Sequence, residues 1–160
     1  MRKYRSPILS ALWSVAIPGF GQLYIGDYLI GLLLVVLEFT INVKANLNLA
    51  ILYSFRGQFQ NSFDVADLQW ILFYPCIYNY SIWQAYNRAL EINHSNAEAD
   101  EPFTATRYNG LFIGSAMVGT LGVIYSYIIG PIFCGLLGMV IGASLGSAVE
   151  RLRPVKTTDN

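Results

Sequence analysis

The chain has 160 residues, of which 54% are hydrophobic and 12% charged, and its ten basic and ten acidic side chains cancel. Soluble domains run near about 45–50% apolar and about 25% charged, so this balance excludes an ordinary water-soluble fold. With no excess of Lys and Arg, and no basic stripe interleaved with aromatics, nucleic acid is excluded as a partner.

Arg2, Lys3 and Arg5 precede an apolar run from Pro7 to Ile17, which is the charge order of a secretory signal. No A-x-A-like cleavage site follows. The run passes instead into Pro18-Gly19-Phe20-Gly21-Gln22 and a second apolar segment, which predicts an uncleaved anchor. A membrane span needs about 20 mostly apolar residues. The first block falls short, and Pro18 and Gly19 stop it, predicting a short broken first helix.

The second block runs from Tyr28 to about Val43, where Lys44, Asn46 and Asn48 mark an interface; Leu49 to Phe55 either prolongs the helix or lies along the membrane surface. Residues 56–67 read as a polar loop in which Asp64 or Asp67 caps the next helix. A third block covers 68–90, with a kink expected at Pro75. Trp70, Phe73 and Tyr74 flank one of its ends, and Trp83 and Tyr86 the other, as aromatic girdles do at headgroup level. Residues 91–107 read as a polar, mostly acidic loop, with His94 solvated rather than metal-bound.

The fourth block, Gly110 to Ile129, and the fifth, Ile132 to Val149, are separated only by Gly130-Pro131, a turn signal. As one helix they would reach roughly 60 Å, twice the hydrocarbon thickness, so they must fold back on each other. Cys76 and Cys134 lie inside apolar blocks, where a small polarizable side chain packs well. The expected fold is all-α: a single polytopic membrane domain over residues 1–160, with a short broken first helix plus four transmembrane helices, the last two a Gly-rich hairpin.

Lys and Arg favour the cytoplasmic side of short loops. If all five blocks cross, the ten basic residues divide five against five. If the first block enters and returns, Arg2, Lys3, Arg5, Arg88, Arg107, Arg151, Arg153 and Lys156 share one side, eight against Lys44 and Arg56. That bias predicts four crossings of the cell membrane with both termini cytoplasmic.

The most specific motif is the stretch from Pro18 to Tyr28, in which Gly19, Gly21 and Gly26 permit a backbone turn at membrane depth. Gln22, Tyr24 and Asp27 could satisfy the polar groups such a turn leaves exposed. The motif serves either a structural bend or a re-entrant element at a binding site or pore. The Ser6-Pro7 start and the Pro-Gly-x-Gly-Gln-x-Tyr-x-Gly pattern at 18–26 resemble a group of small, uncharacterised prokaryotic multi-pass membrane proteins. These in turn are similar to the two-transmembrane-helix domain family, whose hairpin carries Gly-x-Gly, a His, a Phe-Tyr pair and a further Gly. The likeness covers about residues 6 to 43, with Gln22 in place of the His. It implies a membrane hairpin and a prokaryotic origin, and no enzymatic activity.

Glu38 falls near the middle of the second block, where an ionised carboxylate is costly and marks either function or internal pairing. Asp27, Gly31, Leu34, Val35, Glu38 and Asn42 form one helical stripe, which predicts that this face meets protein. With an antiparallel third block, Asn79, with Tyr78 or Tyr80, should lie level with Glu38, and Arg88 with Asp27. Glu38 is then a protonated hydrogen-bond donor inside the bundle or a proton- or cation-handling group.

Gly138, Gly142 and Gly146 recur every four residues in the fifth block, and Gly110, Gly114 and Gly119 punctuate the fourth. Small residues at this interval let helices approach closely, either within one chain or between copies. No catalytic pairing, metal-ligand cluster or cofactor motif stands out. The expected function is non-enzymatic: packing, assembly or regulation of a membrane complex, with the lipid bilayer, a second copy or a membrane protein as partner. A small transporter or channel subunit using Glu38 and the Gly19 to Gly26 turn is the alternative.

Overall fold

The computed structural model describes residues 4–97 and 106–152, within which every regular element is helical. Arg2, Lys3, Glu98, Asp100, Glu101, Arg153 and Lys156 lie outside the described residues.

Ser6 and Pro7 start α1 (Pro7–Ala16): the Ser6 hydroxyl accepts from the Leu9 N–H at 3.3 Å, and Pro7 sits in the first turn, where no N–H is needed. The helix stops because Ile17 is extended, as the residue before a proline prefers to be. Gly19 takes φ +102°, a region that side chains disfavour, and the chain reverses into α2 (Phe20–Ile25). At about 1.5 Å per residue α1 is roughly 15 Å long, half a membrane thickness. α2 doubles back along it.

After Asp27 the chain enters α3 (Tyr28–Ala45), which Asn46 ends in a left-handed conformation at φ 52°. Three short helices then cap this end of the bundle: α4 (Leu47–Phe55), α5 (Phe59–Val65) and α6 (Leu68–Ile71). The expected 56–67 loop is therefore largely helical. Gln60, Asn61 and Asp64 face outward, while Ser62 is buried and donates to the Ala50 carbonyl at 2.8 Å. Its polarity marked an amphipathic helix. Asp67 caps α6, accepting from the Gln69 N–H at 3.0 Å.

The expected 68–90 span is divided between α6 and α7 (Tyr74–Asn96). Pro75 lies in the first turn of α7, where its missing N–H has no helical partner anyway, so it opens this helix instead of kinking it. α7 also takes up the start of the expected 91–107 loop, including His94. The final pair is α8 (Asn109–Ile124) and α9 (Gly130–Leu152). Their turn falls at 125–129, earlier than expected, and Gly130-Pro131 begins α9 by the same first-turn rule.

Contacts define two ends of the bundle. At one end lie Arg5, Asp27, Arg88, Asn93, Arg107 and Glu150, joined through hydrogen bonds and ion pairs. At the other, Ile41, Ala45, Leu47, Ile71 and Val123 form a buried apolar cluster. α3, α7, α8 and α9 run from end to end, whereas α1 and α2 occupy only the first half.

α8 and α9 touch backbone to backbone. A Cβ at Gly138 would meet the Val118 carbonyl, one at Gly142 the Gly114 carbonyl, and one at Gly146 the Gly110 carbonyl. The glycine stripe of α9 is thus consumed within the chain. Cys76 and Cys134 are free thiols.

Among the described residues, α3 and α9 are long and apolar enough to cross a membrane. Their outward faces are mostly apolar: Leu32, Leu33, Val36, Phe39 and Val43 on α3, and Leu136, Leu137, Val140, Ile141 and Leu145 on α9, are exposed, with Lys44 at the end of α3 and Ser144 within α9.

Candidate functional site

The Pro18 to Tyr28 motif builds a polar knot between α1, α2 and α7. Gln22 is fully buried (0% exposed). Its Nε2 donates to the Ser81 carbonyl and to Gln84 Oε1, both at 2.8 Å. Its Oε1 accepts from the Ser14 hydroxyl at 3.2 Å and, more weakly, from the Ser81 hydroxyl at 3.5 Å. An amide has two N–H groups and two lone pairs, so its capacity is filled. Ser81 also accepts from the Gly19 N–H at 3.1 Å, which anchors the reversal itself.

Two glycines let the knot close. A Cβ on Gly21 would strike the Ser10 carbonyl and the Ser14 hydroxyl, and one on Gly19 would strike the Gly31 carbonyl. Ser10 completes the seam by donating to the Ala85 carbonyl at 3.0 Å. Hydrogen bonds between helices satisfy groups that would be costly in an apolar surround.

The knot continues to the charged end of the bundle. Gln84 Nε2 donates to Asp27 Oδ2 at 3.1 Å, and Arg88 Nε stands 4.0 Å from the same oxygen, while Arg88 Nη1 binds Glu91 at 2.7 Å. Asp27 and Arg88 are thus neighbours, as the antiparallel register predicts. Tyr24 contributes its carbonyl, which accepts from Arg5 Nη1 at 3.0 Å, and Gly26 terminates α2 at φ +91°. Two α7 amides grip the chain before other helices: Asn93 exchanges bonds with the Arg5 N–H and carbonyl, and Asn87 does so with Arg107.

Glu38 lies elsewhere, on the opposite side of the α1 tip. None of the stripe Asp27, Gly31, Leu34, Val35, Glu38 and Asn42 is exposed, in keeping with the protein-facing expectation. Its partner is not Asn79. Asn79 donates back to the Pro75 carbonyl at 2.7 Å and reaches Met139 Sδ at 3.5 Å, because α8 and α9 cover that face of α7. Tyr74, five residues earlier, takes its place: its hydroxyl donates to Glu38 Oε1 at 3.4 Å. Tyr78 stacks on Tyr74 at 5.6 Å and donates to the Val15 carbonyl at 2.8 Å, pinning the α1 tip. The second carboxyl oxygen, Oε2, is buried without a partner. Glu38 lines a groove of about 560 Å³, together with Phe20, Phe39, Asn42, Asn48 and Tyr74 among others. Asn42 Nδ2 donates to Asn48 Oδ1 at 3.2 Å across that lining.

No protein-family model, curated protein or solved structure matches this chain. Among the described residues no group of three or more His, Cys, Asp and Glu side chains is placed to hold a metal ion.

The motif at 18–26 pointed to Gln22 but not to what receives it. Ser10 with Ser14, and Ser81 and Gln84 with Arg88, recur at three- and four-residue intervals, a polar stripe on each of two helices. That spacing was the available signal. Tyr74 carried none, since its side chain reads equally well as an interfacial girdle.

Proposed function

We propose that this chain is a non-enzymatic, multi-pass integral protein of the cell membrane that acts in the packing, assembly or regulation of a membrane complex. In this reading α3, α7, α8 and α9 cross the bilayer, the α1–α2 hairpin enters and returns, and both termini are cytoplasmic. The observation that carries it is the Gln22 amide, buried and engaged at both donors and both lone pairs by α1 and α7. A group so occupied has no capacity left for a substrate; it holds a broken helix in place.

Three further features support the reading. Arg5, Arg88, Arg107 and Arg151 belong to one end of the bundle and Lys44 and Arg56 to the other, the bias expected for four crossings. α7 is the least apolar long helix, yet its Asn79, Ser81 and Asn87 are buried, so it can cross as the central helix without offering them to lipid. The resemblance at residues 18–26 points to a membrane hairpin as well. The alternative, a small transporter or channel subunit, is favoured by one observation: Glu38, whose buried second oxygen is unpartnered, lines an open groove.

Paired topology reporters test the architecture, one fused after Asn160 and one inserted at Gly57, where the backbone is open. A cytoplasmic Asn160 with an external Gly57 is expected. Asn160 outside with Gly57 inside would mean five full spans and overturn the reading. Co-purification of a membrane partner without Glu38-dependent ion flux in liposomes would favour assembly over transport, and the reverse would favour the alternative.

A further inference from the structure

The groove beside Glu38 has a chemistry that the packing role does not use. It opens between the α1 tip, α3, α4 and Tyr74, and its volume of about 560 Å³ lies within the range of small-molecule sites, roughly 300–1,000 Å³. Its walls are mostly apolar and aromatic, and among the described residues that line it Glu38 is the one carboxyl and none is basic. The ion pairs formed by Arg88 go to Asp27 and Glu91 at the far end of the bundle.

The carboxyl is poorly served by its own chain. Among the described residues Oε1 receives one long bond, from Tyr74, and the buried Oε2 none, although a carboxylate accepts about four hydrogen bonds. Phe20, Phe39 and Tyr74 add aromatic rings, whose π faces attract a cation and repel an anion. Phe39 and Val43 line the groove and are also 72% and 58% exposed, so the groove opens sideways onto the apolar outer face of α3. A ligand arriving by that route must itself be lipid-soluble.

From this combination we infer that the groove binds an amphiphilic organic cation, with the charge at Glu38 and its apolar body against Phe20, Phe39 and the α4 residues Leu47 and Ile51. The inference rests on the membrane reading above, because a sideways opening admits a lipid-soluble ligand only if α3 faces a bilayer. The topology reporters test that premise separately.

The test uses the full chain in lipid nanodiscs and radiolabelled tetraphenylphosphonium, with tetraphenylborate as a probe of the same shape and opposite charge. The wild type should bind the cation saturably, one per chain, and show no saturable binding of the anion. Glu38→Gln should weaken cation binding by more than about tenfold, as expected when a desolvated charge loses its partner. Glu38→Asp should retain part of it. Unchanged binding in Glu38→Gln, or no saturable binding in the wild type, overturns the inference and leaves the groove to lipid tails. Should Glu38→Gln fail to fold, carbodiimide labelling of Glu38 in the wild type, read by mass spectrometry, replaces it. Labelling should be slowed by tetraphenylphosphonium and not by tetraphenylborate; equal labelling with and without the cation overturns the inference.

Discussion

Gln22 and Ser81 bind each other in both directions: the Gln22 amide donates to the Ser81 carbonyl at 2.8 Å, and the Ser81 hydroxyl points back to Gln22 Oε1 at 3.5 Å. Because Ser81 also holds the Gly19 N–H, one residue of α7 fastens both the turn and the helix that follows it. The half-length α1 is therefore held by side chains from another element, as its ten residues cannot hold themselves.

Replacing that amide should be costly. Gln22→Leu removes the partner of several buried groups at once, and each orphaned polar group costs about 1–3 kcal/mol, lessened in lipid because unfolded helices find other partners. A loss of about 2 kcal/mol is expected, visible as earlier thermal aggregation of detergent-purified protein. Gln22→Glu should cost at least as much, because a carboxylate oxygen would replace the donor to the Ser81 carbonyl and Gln84 Oε1 in a buried site. A Leu variant as stable as wild type would show that the knot is incidental.

The α8–α9 contact makes a sharper steric prediction. Gly142→Val places methyl groups where the Gly114 carbonyl lies, and overpacking of this kind costs about 1–3 kcal/mol or more. Abundance in membranes should drop several-fold, while Leu145→Ala on the exposed side of α9 should be tolerated. If Gly142→Val instead leaves abundance unchanged and alters only the oligomer size, the stripe packs between chains.

Glu150 acts across the hairpin as a cap. Its two carboxyl oxygens accept from the Asn109 and Gly110 N–H groups at 3.1 and 3.0 Å, meeting donors that the first turn of α8 leaves open. Glu150→Ala should cost about 1 kcal/mol. Hydrogen exchange should rise at Asn109 and Gly110 ahead of the rest of α8; uniform protection would argue against the cap.

Asp27 and Arg88 should prove unequal. Arg88 is 4.0 Å away and its side chain is 43% exposed, so Arg88→Gln should change stability by less than about 0.5 kcal/mol, as exposed pairs do. Asp27→Leu should cost more, since it also abandons the Gln84 amide at 3.1 Å. Melting temperatures of the two single variants decide this, and equal losses would point to the ion pair as the stabilising contact.

Composition and apolar block length determined by themselves that the chain is helical, where α1 is broken, and that the last two helices fold back. These are local properties: Pro18 pushes Ile17 out of the helical region and so ends α1, and the connection from α8 to α9 is long enough only for a turn. The stripe through Asp27 and Glu38, and the nearness of Asp27 to Arg88, were also legible, because helical periodicity and antiparallel register follow from chain order. Only the tertiary structure decided that Tyr74 and not Asn79 meets Glu38, that Gln22 is received by Ser14, Ser81 and Gln84, and that Glu150 caps α8. Each of those choices depends on how helices rotate about their axes when packed. That rotation is set by close contacts such as Gly21 on Ser10 and Gly142 on Gly114, which join residues far apart in sequence.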